Sequence, residues 1–292
     1  MANVKTLGVI GAGLMGNGIA HVAAQVGYDV ILQDLSADIL SRAQGTIDKN
    51  MGREVKREKL TAAEAKAAMA RISTTTDVAA LAKAQLVIEA ATENVDVKLK
   101  IYAQFGKHLG PEAVLASNTS SISITRLGAH APDPTRFIGI HFFNPVPMMA
   151  LVELIRGMAT SEATYATAAA VVTRMGKTAV PSKDSAGFIV NRIFVPMLNE
   201  AVFALHEGIS DVPSIDAAMK LGLNHPMGPL TLADYVGLDT MLAVMRVLHE
   251  EFGDPKYRPC PLLVRMVEAG WLGVKTGKGF YDYSQQPPVP TV

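Results

Sequence analysis

Two ionisable side chains lie inside runs that are otherwise apolar, and their spacing could place them together. His141 interrupts RFIGIHFF at residues 136–143, and Glu153 interrupts ALVELIR at residues 150–156. If these runs are an antiparallel pair of strands that turns about Pro147, both side chains lie six residues from the turn centre and face each other. An imidazole can take the proton of a hydroxyl group, and a neighbouring carboxylate orients the ring and stabilises the imidazolium. The pattern fits a catalytic pair and a buried structural hydrogen bond alike.

A glycine-rich segment near the start of the chain is a second candidate site. It comprises Gly11, Ala12, Gly13, Leu14, Met15 and Gly16, between a strand candidate at 4–10 and a helix candidate at 14–26. The first glycine allows a tight turn, the second lets the backbone approach a pyrophosphate, and the third lets the helix pack on the strand. The N–H groups and the positive dipole end of the helix favour the same anion. A tight turn without a ligand is the alternative, but the flanking strand and helix favour a dinucleotide site.

An acid at the end of the next strand candidate sharpens this prediction. Asp34 lies 21 residues after Gly13, close to the ~20 residues typical of dinucleotide-binding folds. A carboxylate accepts hydrogen bonds from a ribose hydroxyl group and repels a 2′-phosphate, and no arginine occurs at 35–37. The sequence therefore favours NAD over NADP as the cofactor.

Polar residues also follow the strand candidates at 85–91 and 113–117. They are Glu93, Lys98, Asn118, Ser120 and Ser121. In doubly wound sheets, ligands bind beyond the carboxyl ends of the strands, so these side chains are candidates for ligand contact. Each could instead cap a helix or close a turn, and that reading is favoured for Ser121.

The elements that would hold these residues follow an alternating pattern. Strand candidates lie at 4–10, 28–34, 85–91, 113–118, 136–143, 150–156 and 177–182, and helical stretches at 14–26, 38–59, 61–70, 95–108 and 162–175. This alternation predicts an α/β fold with a parallel, doubly wound sheet of the Rossmann type. After Lys183 the chain reads as helices, so we predict a cofactor domain over 1–184 and an all-helical C-terminal domain over 185–292. The Pro- and Gln-rich tail from Ser284 is expected to fray.

Composition narrows the class of protein. The 292 residues suffice for about two domains. Lys and Arg number 27 and Asp and Glu 27, and the zero net charge argues against a general nucleic-acid binder. The single cysteine, Cys260, excludes an internal disulfide and fits a reducing compartment, and no window has the ~20 apolar residues of a membrane helix. We therefore expect a cytoplasmic protein with no nucleic-acid, membrane or metal partner.

Six segments, in order over nearly the whole chain, carry a family resemblance. They are GVIGAGLMGNGIA, SNTSSISIT, RFIGIHFFNPVPMMALVELI, KDSAGFIVNR, AMKLGLNHPMGPLTLADYVGLD and GVKTGKGFYDY. These segments resemble the L-3-hydroxyacyl-CoA dehydrogenases, and the length and layout are most similar to the short bacterial members. The resemblance implies an NAD-binding domain followed by a helical domain that forms a homodimer. It also implies reversible oxidation of (S)-3-hydroxybutyryl-CoA, or a similar short-chain (S)-3-hydroxyacyl-CoA, to the 3-ketoacyl-CoA.

Matched residue by residue, the resemblance also implies roles. The family's catalytic histidine falls on His141 and its partner glutamate on Glu153. The active-site serine falls on Ser120 and the active-site asparagine on Asn191. Cofactor contacts fall on Asp34, Glu93, Lys98, Asn118 and Asn144. His141 would then take the C3 hydroxyl proton, while Ser120 and Asn191 hydrogen-bond the reacting oxygen or the thioester carbonyl.

One match to the family is imperfect. The short bacterial members resemble NLxKxVKK in the second helical segment, where lysines meet the CoA phosphates. Here the segment runs NMGREVKR from Asn50, so Arg53 and Arg57 replace two lysines and Lys56 keeps the third. Arginine keeps the charge and pairs with phosphate in bidentate fashion, so we expect an acyl-CoA to bind here. A solvated basic helix face is the alternative.

Two other interpretations of the sequence compete with a 3-hydroxyacyl-CoA dehydrogenase. A non-catalytic relative that kept the fold would be favoured by the loss of any of the four matched active-site residues, and all four are present. A β-hydroxyacid dehydrogenase with a lysine base would share the glycine loop, but its lysine pattern is not evident at 188–191. In the second domain, Met- and Leu-rich stretches fit an ordinary core as well as a dimer interface.

Overall fold

The β-branched runs of the first half form one sheet in the structure, a computed structural model that describes residues 4–292. Its strands are β1 (Thr6–Ile10), β2 (Asp29–Gln33), β3 (Ile72–Thr75), β4 (Leu86–Glu89), β5 (Val114–Ser117), β6 (Phe137–Phe142), β7 (Leu151–Arg156) and β8 (Thr178–Lys183). Their order across the sheet is β3-β2-β1-β4-β5-β6-β7-β8. Neighbours are parallel except β6 and β7, which are antiparallel. The strand order reverses between β1 and β4, where doubly wound sheets bind their ligands.

Helices alternate with these strands and pack on the sheet through their apolar faces. They are α1 (Leu14–Gln25), α2 (Ala37–Lys56), α3 (Ala62–Ala70), α4 (Val95–Phe105), α5 (Ile124–Gly128) and α6 (Glu162–Arg174). Five of these helix starts are encoded locally, because a polar side chain accepts a hydrogen bond from a first-turn backbone N–H group. These caps are Ser36, Thr61, Asn94, Ser123 and Ser161.

Two short elements of this unit are absent from the sequence prediction. Strand β3 has four residues, ISTT, which are too few and too polar for a clear alternating pattern, and its pairing with β2 completes it. Helix α5 has five residues, and besides its own cap Ser123 it depends on a distant side chain. The Asp184 carboxylate accepts hydrogen bonds from the backbone N–H groups of Ile124 and Thr125 at 2.9 and 2.7 Å, across about 60 residues of chain.

The chain becomes helical after Ser185, and Ala186 begins a second compact unit. Its helices are α7 (Val190–His206), α8 (Val212–Leu223), α9 (Pro229–Val236), α10 (Leu238–Phe252) and α11 (Pro261–Glu268). They enclose a separate apolar core that includes Leu198, Leu242 and Met245. The predicted fold class, a Rossmann-type sheet followed by a helical C-terminal domain, is therefore confirmed. Within residues 4–292, no helix combines the length and the apolar character needed to cross a membrane.

The end of the second unit differs from the prediction in one detail. Strands β9 (Tyr281–Asp282) and β10 (Val289–Pro290) form a small antiparallel sheet beside the helices. The expectation that the chain frays from Ser284 is wrong, because this tail pairs back on the segment before it. The backbone N–H of Thr291 donates to the Phe280 carbonyl at 3.0 Å, and the Phe280 N–H donates to the Asp234 carboxylate at 2.9 Å.

Candidate active site

The paired strands β6 and β7 bring the two candidate catalytic side chains together. His141 lies opposite Glu153 in the antiparallel register, which confirms the pairing predicted from their symmetric spacing. The imidazole Nδ1 lies 2.7 Å from Glu153 Oε2, and the two residues are 6% and 0% exposed. An ionised carboxylate only accepts hydrogen bonds, so Nδ1 carries the hydrogen and Nε2 is the ring nitrogen that can take up a proton.

The end of β5 supports the strand that carries the histidine. Asn118 lies just beyond β5, and its Oδ1 accepts a hydrogen bond from the backbone N–H of Phe142 at 2.9 Å. The Phe143 ring lies 4.5 Å from the imidazole, centroid to centroid. Asn144, the next residue, is exposed at the start of the connection to β7. Asn118 thus fixes the backbone next to His141. Its contact with the cofactor stays a prediction.

The glycine loop between β1 and α1 has the shape expected of a dinucleotide cradle. Gly11 has φ +91°, and a Cβ there would lie 2.6 Å from Ala91 Cα, while a Cβ on Gly16 would collide with the Gly11 carbonyl oxygen. A Cβ on Gly13 would meet no atom within 4 Å. Helix α1 begins at Leu14 without a side-chain cap, so its first turn can serve an anion. The loop fits the pyrophosphate of NAD.

Asp34 follows β2 and holds this loop in place. Its Oδ2 accepts a hydrogen bond from the backbone N–H of Ala12 at 2.8 Å, and its Oδ1 accepts one from the N–H of Ser36 at 3.3 Å. The side chain is half-buried, and Leu35 beside it is 86% exposed. A half-buried carboxylate at this position suits a ribose hydroxyl group and disfavours a 2′-phosphate.

Beyond β4 and β5, the candidate residues Glu93 and Ser120 contact each other. Glu93 Oε1 accepts hydrogen bonds from the backbone N–H and the hydroxyl group of Ser120 at 2.6 and 2.8 Å. Its Oε2 accepts one from the Thr119 hydroxyl group at 2.8 Å. The carboxylate therefore fixes the loop that presents the candidate active-site serine.

Lys98 lies in a buried hydrogen-bond network around Glu89, a residue that was not predicted from the sequence. Its Nζ is 2.5 Å from Glu89 Oε2 and 3.9 Å from Glu93 Oε2, and Lys98 is 1% exposed. The Tyr102 and Ser117 hydroxyl groups donate to the same Glu89 oxygen at 3.2 and 3.0 Å. Burial, and then the charge of Glu89, raise the pKa of Tyr102 far above its usual range. Glu89 interrupts the apolar run LVIEAA, which is the signal that revealed Glu153.

The remaining predicted residues lie on helices. Asn50, Arg53 and Lys56 are spaced along α2, and Arg57 caps its C-terminus. This spacing places them near one face, and Arg53, Lys56 and Arg57 are exposed. Arg53 Nη1 donates to Asn50 Oδ1 at 3.4 Å. Asn191 lies in the first turn of α7 in the second unit. The α2 face suits CoA phosphates and solvent equally.

Comparison with known proteins identifies the family of this chain. A model of the 3-hydroxyacyl-CoA dehydrogenase NAD-binding domain matches residues 6–185, and a model of the C-terminal domain of the same family matches 187–283. The chain belongs to the 3-hydroxyacyl-CoA dehydrogenase family. It is therefore an oxidoreductase with NAD as its cofactor, as the sequence predicted, and the glycine loop and Asp34 fit that cofactor.

The relatives of this family member cover nearly its whole length. A 3-hydroxybutyryl-CoA dehydrogenase from Bradyrhizobium diazoefficiens is 56% identical over 290 residues, 99% of either chain. A probable 3-hydroxybutyryl-CoA dehydrogenase from Bacillus subtilis is 47% identical over 283 residues, 97% of this chain and 99% of that one. The crystal structure of an (S)-3-hydroxybutyryl-CoA dehydrogenase from Ralstonia eutropha superposes with a TM-score of 0.95 at 52% identity, covering 97% of this chain and all of the other.

Proposed function

We propose that this chain catalyses the reversible, NAD-dependent oxidation of (S)-3-hydroxybutyryl-CoA, or a similar short-chain 3-hydroxyacyl-CoA, to acetoacetyl-CoA or the matching 3-ketoacyl-CoA. The observation that carries the proposal is the buried His141–Glu153 pair, 2.7 Å between Nδ1 and Oε2, in a member of this family. The Bradyrhizobium and Ralstonia relatives, both 3-hydroxybutyryl-CoA dehydrogenases, support the choice of substrate.

In this proposal, His141 is the general base of the oxidation and the general acid of the reduction. Glu153 holds Nδ1, so Nε2 takes the proton of the C3 hydroxyl group. The buried carboxylate of Glu153 stabilises the imidazolium that forms. NAD, when bound, supplies the acceptor for the hydride that leaves C3.

Two further side chains act on the oxygen atoms of the substrate. Ser120 and Asn191 hydrogen-bond the C3 oxygen or the thioester carbonyl, where charge develops during the reaction. Glu93 fixes the Ser120 backbone and hydroxyl group, which supports a defined position for this serine.

In this proposal, residues at the carboxyl ends of the strands would hold the cofactor. The glycine loop from Gly11 to Gly16, including Leu14 and Met15, holds the pyrophosphate, and Asp34 binds the adenosine ribose. The residues that follow β4, β5 and β6 would hold the rest of the cofactor. These are Glu93, Lys98, Asn118 and Asn144.

The acyl-CoA is bound partly through the basic face of α2. Asn50, Arg53, Lys56 and Arg57 meet its phosphates, with the arginines as bidentate donors. We expect Arg53→Ala combined with Arg57→Ala to raise the KM for acetoacetyl-CoA about 10-fold or more, because two charge-assisted contacts are lost. The KM for NADH should not change. An unchanged KM for acetoacetyl-CoA would leave this face as a solvated surface.

The two domains of the chain have different roles in this proposal. We propose that residues 1–184 bind the cofactor and, through α2, part of the acyl-CoA, and that residues 185–292 complete substrate binding and form a cytoplasmic homodimer. Several large apolar side chains of the second unit are strongly exposed, among them Ile193 at 66%, Ile209 at 72%, Leu221 at 86% and Leu223 at 63%, which supports a surface that a second copy covers. Sedimentation equilibrium measures the subunit number.

The decisive assay follows NADH absorbance with acetoacetyl-CoA as substrate. We expect oxidation of NADH with acetoacetyl-CoA, little with free acetoacetate, and little when NADPH replaces NADH. Activity on free acetoacetate alone would favour a β-hydroxyacid dehydrogenase. No activity on either substrate would favour a non-catalytic relative.

The role of the histidine is tested by substitution. We expect His141→Asn to lower kcat by about 10²–10⁴, because the general acid and base is lost, while NADH binding measured by fluorescence is unchanged. His130→Asn, a change at an exposed loop histidine, is the matched control and should keep wild-type kcat. Wild-type kcat in the His141 variant would refute the assignment.

A further inference from the structure

The connection between β6 and β7 spans residues 143–150 and adjoins both candidate catalytic strands. It is closed by its own backbone, because the N–H groups of Met148 and Met149 donate to the Pro145 carbonyl at 2.9 and 3.0 Å. These bonds shape the turn but tie it to nothing else. At its end, the Ala150 carbonyl accepts a hydrogen bond from the Thr178 N–H at 2.8 Å. Two further contacts from outside hold the middle of the turn.

The first contact is a buried lysine. Lys177 precedes β8 and is 9% exposed. Its Nζ donates to the Val146 carbonyl at 2.6 Å and to the Met149 carbonyl at 2.8 Å. Hydrogen bonds from a charged donor are about twice as strong as neutral ones, and burial strengthens them further. The lysine thus ties two carbonyl groups of the turn, those of Val146 and Met149, to the start of β8.

The second contact is the helix of the glycine loop. The Val146 side chain is 2% exposed and belongs to the core beneath α1. It packs against Gly18, where an added Cβ would lie 2.8 Å from Val146 Cβ. Gly18 follows the last glycine of the loop by two residues. Val146 is therefore held by its carbonyl from Lys177 and by its side chain from α1.

We propose that Lys177 is a positioning residue for the reaction, which with Gly18 fixes the β6–β7 turn, and so Asn144 and His141, relative to the glycine loop. This inference rests on the proposed function, because it gives the turn a role in aligning substrate and cofactor. A small misplacement of reacting groups can lower the rate by about 100-fold, so a side chain that touches neither ligand can control kcat.

The test replaces the ammonium with an apolar side chain of similar length. We expect Lys177→Met to lower kcat for acetoacetyl-CoA about 10- to 100-fold at saturating NADH, with little change in the KM for acetoacetyl-CoA. Lys177→Arg keeps the charge and should recover part of the loss. All rates are measured well below the melting temperature on protein with wild-type circular dichroism.

Arg174→Met is the matched control, since Arg174 also donates to two turn carbonyls of the first unit. Its Nη2 lies 3.2 Å from the Val26 oxygen and 3.3 Å from the Gly27 oxygen, in the turn between α1 and β2. This turn is at the opposite end of α1 from the glycine loop. The Arg174→Met control should lose stability and keep wild-type kcat. If Lys177 were purely structural, Lys177→Met would give the same result as this control.

Each outcome decides the proposal. A folded Lys177→Met variant with wild-type kcat overturns it. If that variant does not fold, Gly18→Ala displaces the turn from the other side, and a kcat lowered about 5-fold or more supports the proposal while wild-type kcat overturns it. If the wild-type chain turns over no acyl-CoA, the proposed function has failed. Hydrogen exchange of peptide 143–150 then decides whether Lys177 holds the turn: faster exchange in Lys177→Met than in Arg174→Met supports it, and equal exchange overturns it.

Discussion

The two units each bury a carboxylate, and they satisfy it in different ways. Glu89 in the first unit is 0% exposed and accepts hydrogen bonds from the Lys98 ammonium at 2.5 Å and from two hydroxyl groups. Asp234 in the second unit is 1% exposed and accepts from the Phe280 and Tyr281 N–H groups at 2.9 and 3.0 Å. It also accepts from the Tyr283 hydroxyl group at 3.0 Å. Glu89 is therefore paired with a cation, the Lys98 ammonium, whereas Asp234 is held by neutral hydrogen-bond donors.

The difference has a consequence for charge. Burial raises the pKa of Asp234 to about 6, against the hydrogen bonds that favour its ionised form, and the nearby charge of Asp216 raises it further. A buried carboxylate without a cation can therefore take up a proton near neutral pH. The two buried carboxylates also differ in what they hold. Glu89 binds Lys98 at the candidate active site, whereas Asp234 anchors the segment that carries β9.

The largest effect should come from removing the charge of Glu89. We expect Glu89→Gln to lower the free energy of unfolding by about 3–5 kcal/mol, because the Lys98 ammonium then stays buried without its carboxylate. Urea unfolding followed by circular dichroism measures the loss. In the double variant with Lys98→Met, the loss should be smaller than the sum of the two single losses. A loss below about 1 kcal/mol in Glu89→Gln would show that the ion pair is not what stabilises this network.

A smaller, pH-dependent effect should mark Asp234. Its pKa is higher in the folded chain, at about 6, than the usual 3.8, so the folded state binds a proton that the unfolded state releases. This stabilisation is complete below the unfolded pKa and is lost as pH rises through 6. The wild-type free energy of unfolding, relative to Asp234→Asn, should fall by about 1–1.5 kcal/mol between about pH 5 and about pH 8. A pH-independent difference would contradict the raised pKa.

The smallest effect should come from an ion pair of similar length at the surface. Arg136 Nη2 lies 2.6 Å from Glu112 Oε2, but the two side chains are 29% and 82% exposed. We expect Glu112→Gln to change the free energy of unfolding by less than about 1 kcal/mol, since solvent screens the pair. This variant is also the control for Glu89→Gln. A loss as large as that of Glu89→Gln would mean that distance, and not burial, decides the contribution of these pairs.

The sequence predicted one buried acid and missed another that showed the same pattern. Glu153 was found because His141 lies at the matching distance from Pro147, and the register of two adjacent strands follows from such symmetry. Glu89 has no such partner in a neighbouring run, because Lys98 lies on α4 and reaches it only when that helix packs back over β4. The short elements β3 and α5 were missed since each is completed by a partner elsewhere in the chain.

By itself, the sequence determined the fold class, the cofactor and the His141–Glu153 pair. Hydrophobic periodicity, glycine spacing and strand register are local properties, and they can be read along the chain. Only the tertiary structure decided that Lys98 lies on Glu89, that Lys177 reaches the Val146 carbonyl, and that Asp234 holds Phe280. A buried polar group must find a partner among the groups that packing brings near it, and that proximity is set by the whole fold.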